Sequence, residues 1–315
     1  MPYSGLMNGK MWLAMAGLLA LLGCSKESAP DAKRSSGKIQ VVTTTTMVTD
    51  LVKQVGGDKV EVQGLMGAGV DPHLYKALAS DITKLQGAEV IFYNGLLLEG
   101  KMQDVFAKMA RTKKHVYPVT EAIAQDRLLE PPEMSGHYDP HVWFEVPLWE
   151  KCVEVVVRGL SDYAPQHKDY FEQQGKGVQA RMQSLHEWAV KRADELPKEK
   201  RILITSHDAF NYFGRAYGFQ VVGLQGISTV EEANMASMVK MVEFIKKNNV
   251  KAIFVESSVP QQAIRRISED AGVKIGGELF SDAMGTAGEM EKGYDLGTYD
   301  GMIKHNLNAI VDSLK

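Results

Sequence analysis

Residues 166–196 have the sequence QHKDYFEQQGKGVQARMQSLHEWAVKRADEL, and this stretch decides how the rest of the chain is organised. Apolar side chains recur along it at helical spacing, namely Phe171, Val178, Met182, Leu185 and Ala189. About 30 residues at about 1.5 Å each form a rod of about 45 Å. Gly175 and Gly177 each cost about 1 kcal/mol inside a helix, so a bend or break is tolerated there. The sequence therefore predicts one long connecting helix at residues 166–196, ended by Pro197.

On both sides of this helix, short β-rich runs alternate with helical stretches. Such alternation is typical of βα units around a mostly parallel sheet. We therefore predict an α/β fold with an N-terminal lobe at residues 38–165 and a C-terminal lobe at residues 197–315. The expected strands are residues 38–45, 60–65, 90–94, 116–118, 201–205, 219–224, 252–255 and 274–279, and a capping box at Ser228 and Glu231 is expected to start a helix of the second lobe.

The composition limits the kinds of partner. A chain of 315 residues is long enough for two lobes of ordinary domain size, and its formal net charge is -3. Lysine and arginine do not cluster with aromatic residues anywhere along it, so we expect no nucleic-acid partner. Cys24 and Cys152 are its two cysteines. Cys152 falls in an apolar helical pattern, which favours a buried free thiol over a disulfide.

The N-terminus carries export signals. The apolar run at residues 11–22 is too short to span a bilayer and has the length of a signal-peptide core. It ends in Leu21-Leu22-Gly23-Cys24, which resembles a bacterial lipobox. We therefore predict a lipoprotein signal peptide at residues 1–23, lipidation of Cys24, and a disordered tether at residues 24–37 that anchors an exported protein to the cell envelope. An ordinary signal peptide with a chance cysteine is the alternative.

One tripeptide occurs twice in the first half, as Asp71-Pro72-His73 and Asp139-Pro140-His141. Proline fixes its own φ and biases the preceding residue toward extended geometry, so each histidine leaves a stiffened loop. A rigidly presented imidazole suits a metal site. The alternative is that Asp-Pro supplies a helix N-cap and the histidine is an exposed bystander.

The second half supplies matching side chains. His207 follows the strand at residues 201–205, and Asp282 follows the strand at residues 274–279. Ligands of open α/β sheets bind at carboxyl ends of strands, where His73 and His141 also fall. If the two crevices face each other, three imidazoles and one carboxylate converge into a site that suits a divalent transition metal.

Other side chains receive lesser roles. Each ligating imidazole needs an acceptor for its second N–H, and the candidates are Asp71, Asp139, Asp208 and Glu256. Glu256 is the most interesting of them because it closes the strand at residues 252–255 at the same sheet edge, and the alternative is a helix-start or surface carboxylate. His137 is a candidate accessory ligand because it lies four residues before His141. The remaining histidines are expected to pack or to lie on the surface, and they are His115, His167, His186 and His305.

Two enzymatic alternatives compete with a binding protein. Residues 95–101 match the phosphate-loop pattern G-x-x-x-x-G-K, but Met102 replaces the Ser or Thr that would hold Mg²⁺ and Glu99 would repel phosphate. A zinc hydrolase could use the three histidines around an activated water. Asp282 would fill the coordination position that catalysis needs, and no H-E-x-x-H helix supplies a general base. The sequence therefore favours a protein that is not an enzyme.

With these residues in place, the chain resembles the TroA-like (cluster A-I, or cluster 9) metal-binding lipoproteins of ABC transporters. The resemblance covers nearly the whole mature chain. It is carried by residues 64–75 (GLMGAGVDPHLY), 93–96 (YNGL), 139–144 (DPHVWF), 207–210 (HDAF), 223–226 (GLQG), 253–258 (IFVESS) and 276–282 (GGELFSD).

The resemblance implies two pseudo-symmetric lobes with one zinc or manganese ion held between them by His73, His141, His207 and Asp282. It also implies a monomer that delivers this ion to a membrane permease with a separate ATPase subunit, with an adhesin role as a secondary possibility. Many manganese binders of the family carry Glu where this chain has His207. Dedicated zinc binders often have a His-rich loop before the second histidine, where this chain has His137. The identity of the metal stays open between the two.

Overall fold

The computed structural model describes residues 37–112, 115–134 and 136–315. The predicted signal peptide, Cys24 and nearly all of the predicted tether lie outside the described residues. Residues Lys38–Lys315 pack together as one unit, in which the two lobes and the connecting helix are found.

The N-terminal lobe is built on a four-stranded parallel sheet with the strand order β2-β1-β3-β4. Parallel strands need crossover connections, and helices supply most of them here. The elements are β1 (Ile39–Thr43), α1 (Thr46–Gly56), β2 (Val60–Gly64), α2 (Ala79–Gly87), β3 (Val90–Tyr93), α3 (Gln103–Arg111), β4 (His115–Pro118) and α4 (Val146–Tyr163).

The C-terminal lobe repeats this arrangement. Strands β5 and β6 form one parallel pair, β7 and β8 form another, and β5 lies beside β7. The resulting order β6-β5-β7-β8 matches the order of the first lobe, which is the pseudo-symmetry that the resemblance implied. The elements are β5 (Ile202–His207), α6 (Asn211–Tyr217), β6 (Gln220–Gln225), α7 (Met235–Asn248), β7 (Ala252–Glu256), α8 (Gln262–Ala271), β8 (Lys274–Leu279), the short hairpin of β9 (Met290–Glu291) and β10 (Tyr294–Asp295), and α9 (Tyr299–Leu314).

The predicted connecting helix is confirmed as α5 (Lys168–Asp194), which follows a 3₁₀ turn at Pro165–His167. The helix is continuous through Gly175 and Gly177, so the break that the glycines allowed does not occur. The presence of glycine at position 175 is explained by close packing against a neighbouring helix. A Cβ at this position would lie 2.7 Å from Cγ2 of Val157 on α4, so only glycine lets the two helices come this close.

The predicted capping box at Ser228 and Glu231 is wrong. Helix α7 begins at Met235, and its N-cap is Asn234, whose side-chain oxygen accepts a hydrogen bond from the backbone N–H of Ser237 at 2.9 Å. The residues from 228 to 233 form a loop between β6 and α7. The wrong capping box would place Thr229 inside a helix, whereas it lies in this loop and its hydroxyl donates to Asp71 of the first lobe.

Within the described residues, three groups of buried side chains hold the fold. The largest contains residues of α1, α4, α5, α6 and α9 together with inner faces of both sheets. The other two lie on the outer faces, one under α2 and α3 and the other under α7 and α8. The central core therefore joins both lobes, and the strand ends of both are held in fixed relation to each other.

Candidate metal centre

Four side chains from both lobes meet at the carboxyl ends of the strands. His73 lies in the loop after β2, His141 precedes a 3₁₀ turn that leads into α4, His207 is the last residue of β5, and Asp282 follows β8. One possible ligand atom from each lies within 4.8 Å of every other. The structure thus brings together the four residues predicted as ligands.

The distances within this group suit a single ion. Nε2 of His73 lies 3.3 Å from Nε2 of His141 and 3.6 Å from a carboxylate oxygen of Asp282. Nε2 of His141 and Nε2 of His207 each lie 3.3 Å from an oxygen of the same carboxylate. Three Nε2 atoms and one carboxylate around a common centre form a donor set typical of zinc and of other first-row divalent metals.

The centre is shielded from solvent. His141 and His207 are fully buried, Asp282 is 1% exposed, and His73 is 6% exposed. Nε2 of His207 and both carboxylate oxygens of Asp282 have no hydrogen-bond partner among the described residues. Buried polar atoms without a partner cost free energy, so these three atoms are suited to a cation placed between them.

Both Asp-Pro-His segments form the same local turn. Oδ1 of Asp71 accepts a hydrogen bond from the backbone N–H of His73 at 2.8 Å, and Oδ1 of Asp139 accepts one from the backbone N–H of His141 at 2.9 Å. This is the Asx turn that aspartate favours two residues before its donor. The repeated tripeptide is therefore a device that fixes a histidine at the end of a loop.

Carboxylates also fix two of the three rings. Oδ1 of Asp139 lies 2.7 Å from Nδ1 of His141. Glu256 binds His207 at two points, with Oε2 at 2.5 Å from Nδ1 and Oε1 accepting the backbone N–H at 2.8 Å. An N–H on Nδ1 leaves the Nε2 lone pair directed at the centre. Of the two candidates Glu256 and Asp208, it is Glu256 that contacts Nδ1 of His207. The backbone N–H of Asp208 donates to the carbonyl of Gly226.

Burial and neighbouring charges shift the pKa values of the group in different directions. Burial lowers the pKa of His73 to about 3, with Asp282 opposing this shift. Burial also acts on His141, but Asp139 and Asp282 outweigh it and raise its pKa to about 9. Burial is likewise outweighed at His207, where Glu256 and Asp282 raise the pKa well above its ordinary value.

The carboxylate at the centre is held in its charged form. Burial alone would raise the pKa of Asp282, but the charges of His207 and His141 outweigh it and lower that pKa well below the usual range. Metal ligands must be deprotonated, so a dication bound here would compete with protons for the histidines.

The other histidines lie elsewhere. His137 is exposed and is not among the four grouped residues. His305 is held by Glu291 and by the carbonyl of Glu278 at 2.9 Å each, and His115 lies 3.1 Å from the hydroxyl of Tyr117. These contacts agree with the structural roles expected from the sequence.

The segment that matches the phosphate-loop pattern has another role. The carboxylate of Glu99 is fully buried and accepts hydrogen bonds from the backbone N–H groups of Asn94 and Gly95 at 2.7 and 3.3 Å. It also accepts the hydroxyl of Thr44 at 2.6 Å. A phosphate loop needs such backbone donors for its ligand, and here an internal carboxylate occupies them.

Sequence reasoning missed the hydrogen bonds that cross between the lobes at the centre. Asn211 and Tyr212 of α6 donate to the carboxylate and the carbonyl of Asp139 at 3.2 and 3.0 Å. The indole of Trp143 donates to the carbonyl of Ser281 at 3.0 Å. Trp143 lies in the DPHVWF segment, and Asn211 directly follows the HDAF segment. Closeness in sequence to a ligand is the only signal by which either residue could have been predicted.

A two-lobed α/β fold with a buried ligand group between the lobes defines a solute-binding protein of the periplasmic class. The chain belongs to the family described as "ZnuA: Zinc-uptake complex component A periplasmic", whose model matches residues 41–313. This family consists of solute-binding proteins of ABC transporters and not of enzymes, which confirms the resemblance seen in the sequence and excludes the hydrolase alternative.

Individual relatives agree with this assignment. The chain is 42% identical over 313 residues to the manganese-binding lipoprotein MntA of Bacillus subtilis, covering 98% of this chain and 99% of that protein. It is 30% identical over 307 residues to the metal ABC transporter substrate-binding lipoprotein SloC of Streptococcus mutans, covering 96% and 97%. The solved structure of the periplasmic zinc-binding protein TroA from Treponema pallidum is similar with a TM-score of 0.83 and 43% identity, covering 88% of this chain and 99% of that one.

None of the helices in the described ranges combines the length and the apolar composition that a transmembrane span requires.

Proposed function

We propose that this protein captures one divalent transition metal ion, zinc or manganese, between its lobes and delivers it to a membrane permease with a separate ATPase subunit. The proposed ligands are Nε2 of His73, His141 and His207 and the carboxylate of Asp282. The observation that carries the proposal is the burial of these four groups around a common centre, with three ligand atoms that lack a hydrogen-bond partner among the described residues.

The charges around the centre support a dication. Asp282 supplies one anionic ligand, while Asp139 and Glu256 stand behind His141 and His207. A buried dication surrounded only by neutral imidazoles would be strongly unfavourable, and these three carboxylates compensate it.

The choice between zinc and manganese needs a measurement in the cell. The relatives named above include one manganese-binding and one zinc-binding protein at nearly the same identity. Zinc binds more tightly than manganese to almost any site of this kind, so a stronger affinity for zinc in the test tube does not identify the cargo. The metal content of protein recovered from its own cell envelope does.

We further infer that the protein acts as a monomer, exported and tethered to the envelope by a lipid on Cys24. The lipobox-like LLGC supports export and the lipid anchor, as do relatives that carry the name lipoprotein. The mass of the N-terminal peptide from envelope-derived protein tests the anchor, since a chain that begins at an unmodified residue other than Cys24 would contradict it.

The ligand set is tested by calorimetric titration of the purified protein with zinc and with manganese. We expect one ion per chain, and we expect His207→Ala to weaken binding by about a hundredfold, since one of four ligands accounts for roughly 3 kcal/mol. His137→Ala is the matched control, because this exposed histidine lies outside the group and its loss should change nothing. Unchanged affinity of H207A for both metals would refute the proposed site.

A further inference from the structure

The four proposed ligands differ in how firmly they are held. His141 and His207 each have a carboxylate on Nδ1, and both are fully buried. His73 retains 6% exposure, and its Nε2 has the longest of the three imidazole contacts to Asp282, at 3.6 Å. His73 is therefore the most exposed of the four ligands.

The segments that carry the first-lobe histidines are also tied differently to the second lobe. Within the described residues, Asp139 and Trp143 make four cross-lobe hydrogen bonds. Two are received by Asp139, one is donated by the indole of Trp143, and one is received by the carbonyl of Trp143 from the hydroxyl of Tyr299. For the loop of His73, the cross-lobe side-chain hydrogen bond within the described residues is the one from the hydroxyl of Thr229 to Oδ2 of Asp71, at 2.6 Å.

This bond couples directly to the ligand. The carboxylate of Asp71 accepts the hydroxyl of Thr229 on Oδ2 and the backbone N–H of His73 on Oδ1. Thr229 itself is buried, in the loop between β6 and α7. One carboxylate thus connects the backbone of the most exposed ligand to the opposite lobe, through a charge-assisted hydrogen bond of the stronger kind.

We propose that Thr229 is a positioning residue that latches the His73 loop onto the C-terminal lobe and thereby sets the rate at which the bound metal is released. The inference rests on the proposed function and adds to it the step by which the cargo leaves. Movement of a short loop at one edge of a closed cleft is enough to open a site whose remaining ligands stay fixed. Release begins with the loss of the bond between Thr229 and Asp71, after which His73 withdraws.

The test replaces the hydroxyl and keeps the shape. Zinc and manganese release from the full-length protein is followed by stopped flow after mixing with an excess of chromogenic chelator. Thr229→Val removes the donor with little change in volume, and we expect release at least about tenfold faster, as for loss of a hydrogen bond to a charged group. Thr229→Ser restores the hydroxyl and should release metal at the rate of the unmodified protein.

A second control separates the latch from general effects of losing a hydroxyl. Thr83 lies exposed on α2, and its hydroxyl donates to the carbonyl of Ala79 within the same helix. Thr83→Val should leave release unchanged. A T229V rate within twofold of the unmodified protein would overturn the latch, and so would equal acceleration in T229S and T229V. Failure of the unmodified protein to bind either ion would instead refute the proposed function.

Discussion

At the scale of single residues, the centre depends on the control of imidazole tautomers. A neutral imidazole presents a lone pair on one nitrogen only, and the partner of the other nitrogen decides which one. Asp139 and Glu256 make this choice for His141 and His207. The ligands are therefore prepared before any ion arrives, and the carboxylates add the negative charge that the ion needs.

Glu256→Gln tests this control. If the amide oxygen of the new side chain accepts from Nδ1 of His207, its NH₂ group faces the backbone N–H of the same residue, which is also a donor. If the amide is flipped, NH₂ faces Nδ1 and the ring must place its proton on Nε2, the ligand atom. Either arrangement weakens metal binding, and we expect about a 10- to 100-fold loss of zinc affinity in a chelator competition.

Glu278→Gln is the matched control for this substitution. Glu278 lies on the neighbouring strand β8, and its carboxylate accepts a hydrogen bond from Gln261 at 2.6 Å on an exposed surface. We expect its zinc affinity to equal that of the unmodified protein. An E256Q protein that binds zinc as tightly as E278Q would show that the tautomer of His207 is set by another group.

At the scale of elements, the connecting helix shows where local propensity and packing disagree. By propensity, Gly175 and Gly177 weaken the helix equally. Packing makes the two positions different. A Cβ at residue 175 would lie 2.7 Å from Val157 and 3.3 Å from Val153. A Cβ at residue 177 would meet only the end of the Arg181 side chain, at 3.6 Å.

Replacing the two glycines by alanine is therefore expected to change the free energy of unfolding in opposite directions. Gly177→Ala should raise the free energy of unfolding by up to about 1 kcal/mol through helix propensity. Gly175→Ala should lower it by about 1–3 kcal/mol, because the methyl group overpacks the contact between α4 and α5. Chemical denaturation of the two variants measures both, and stabilisation by G175A would contradict the close packing of these helices.

The elements themselves were largely predictable. Strand β8 and the core of α5 were predicted almost to the residue. For α5 the reason is its apolar periodicity, which is a local property of the sequence. The start of α7 was not, because Ser228 and Glu231 satisfy the capping-box pattern as well as any true helix start. Asn234 competes as a cap, and the contact of Thr229 with Asp71 holds the preceding loop away from helical geometry.

At the scale of the whole molecule, the centre joins two lobes that also share one core. Ligands from both lobes surround the same point, so an ion bound there cross-links the folded protein. An ion that binds the folded state and has little affinity for the unfolded chain stabilises the fold by mass action.

The shift of Tm on addition of zinc measures how much the bound ion stabilises the fold. At about a thousand times its dissociation constant, an ion stabilises the fold by about 4 kcal/mol. For a protein of this size each kcal/mol raises Tm by about 1.5–2 °C, so we expect a rise of about 6–8 °C with zinc, reversed by chelator. The rise should be much smaller in H207A at the same ion concentration. Equal Tm values for the unmodified protein with zinc and with chelator would contradict an ion between the lobes.

The sequence by itself determined the α/β class, the long connecting helix and the four residues of the centre. These follow from short-range information, since periodicity marks the elements and the polar residues at strand ends mark the site. Only the tertiary structure decided which carboxylate holds which histidine and how the lobes are joined at the centre. Glu256 is 49 residues from His207, and Thr229 is 158 residues from Asp71, so packing alone brings these partners together and no local pattern encodes their contact.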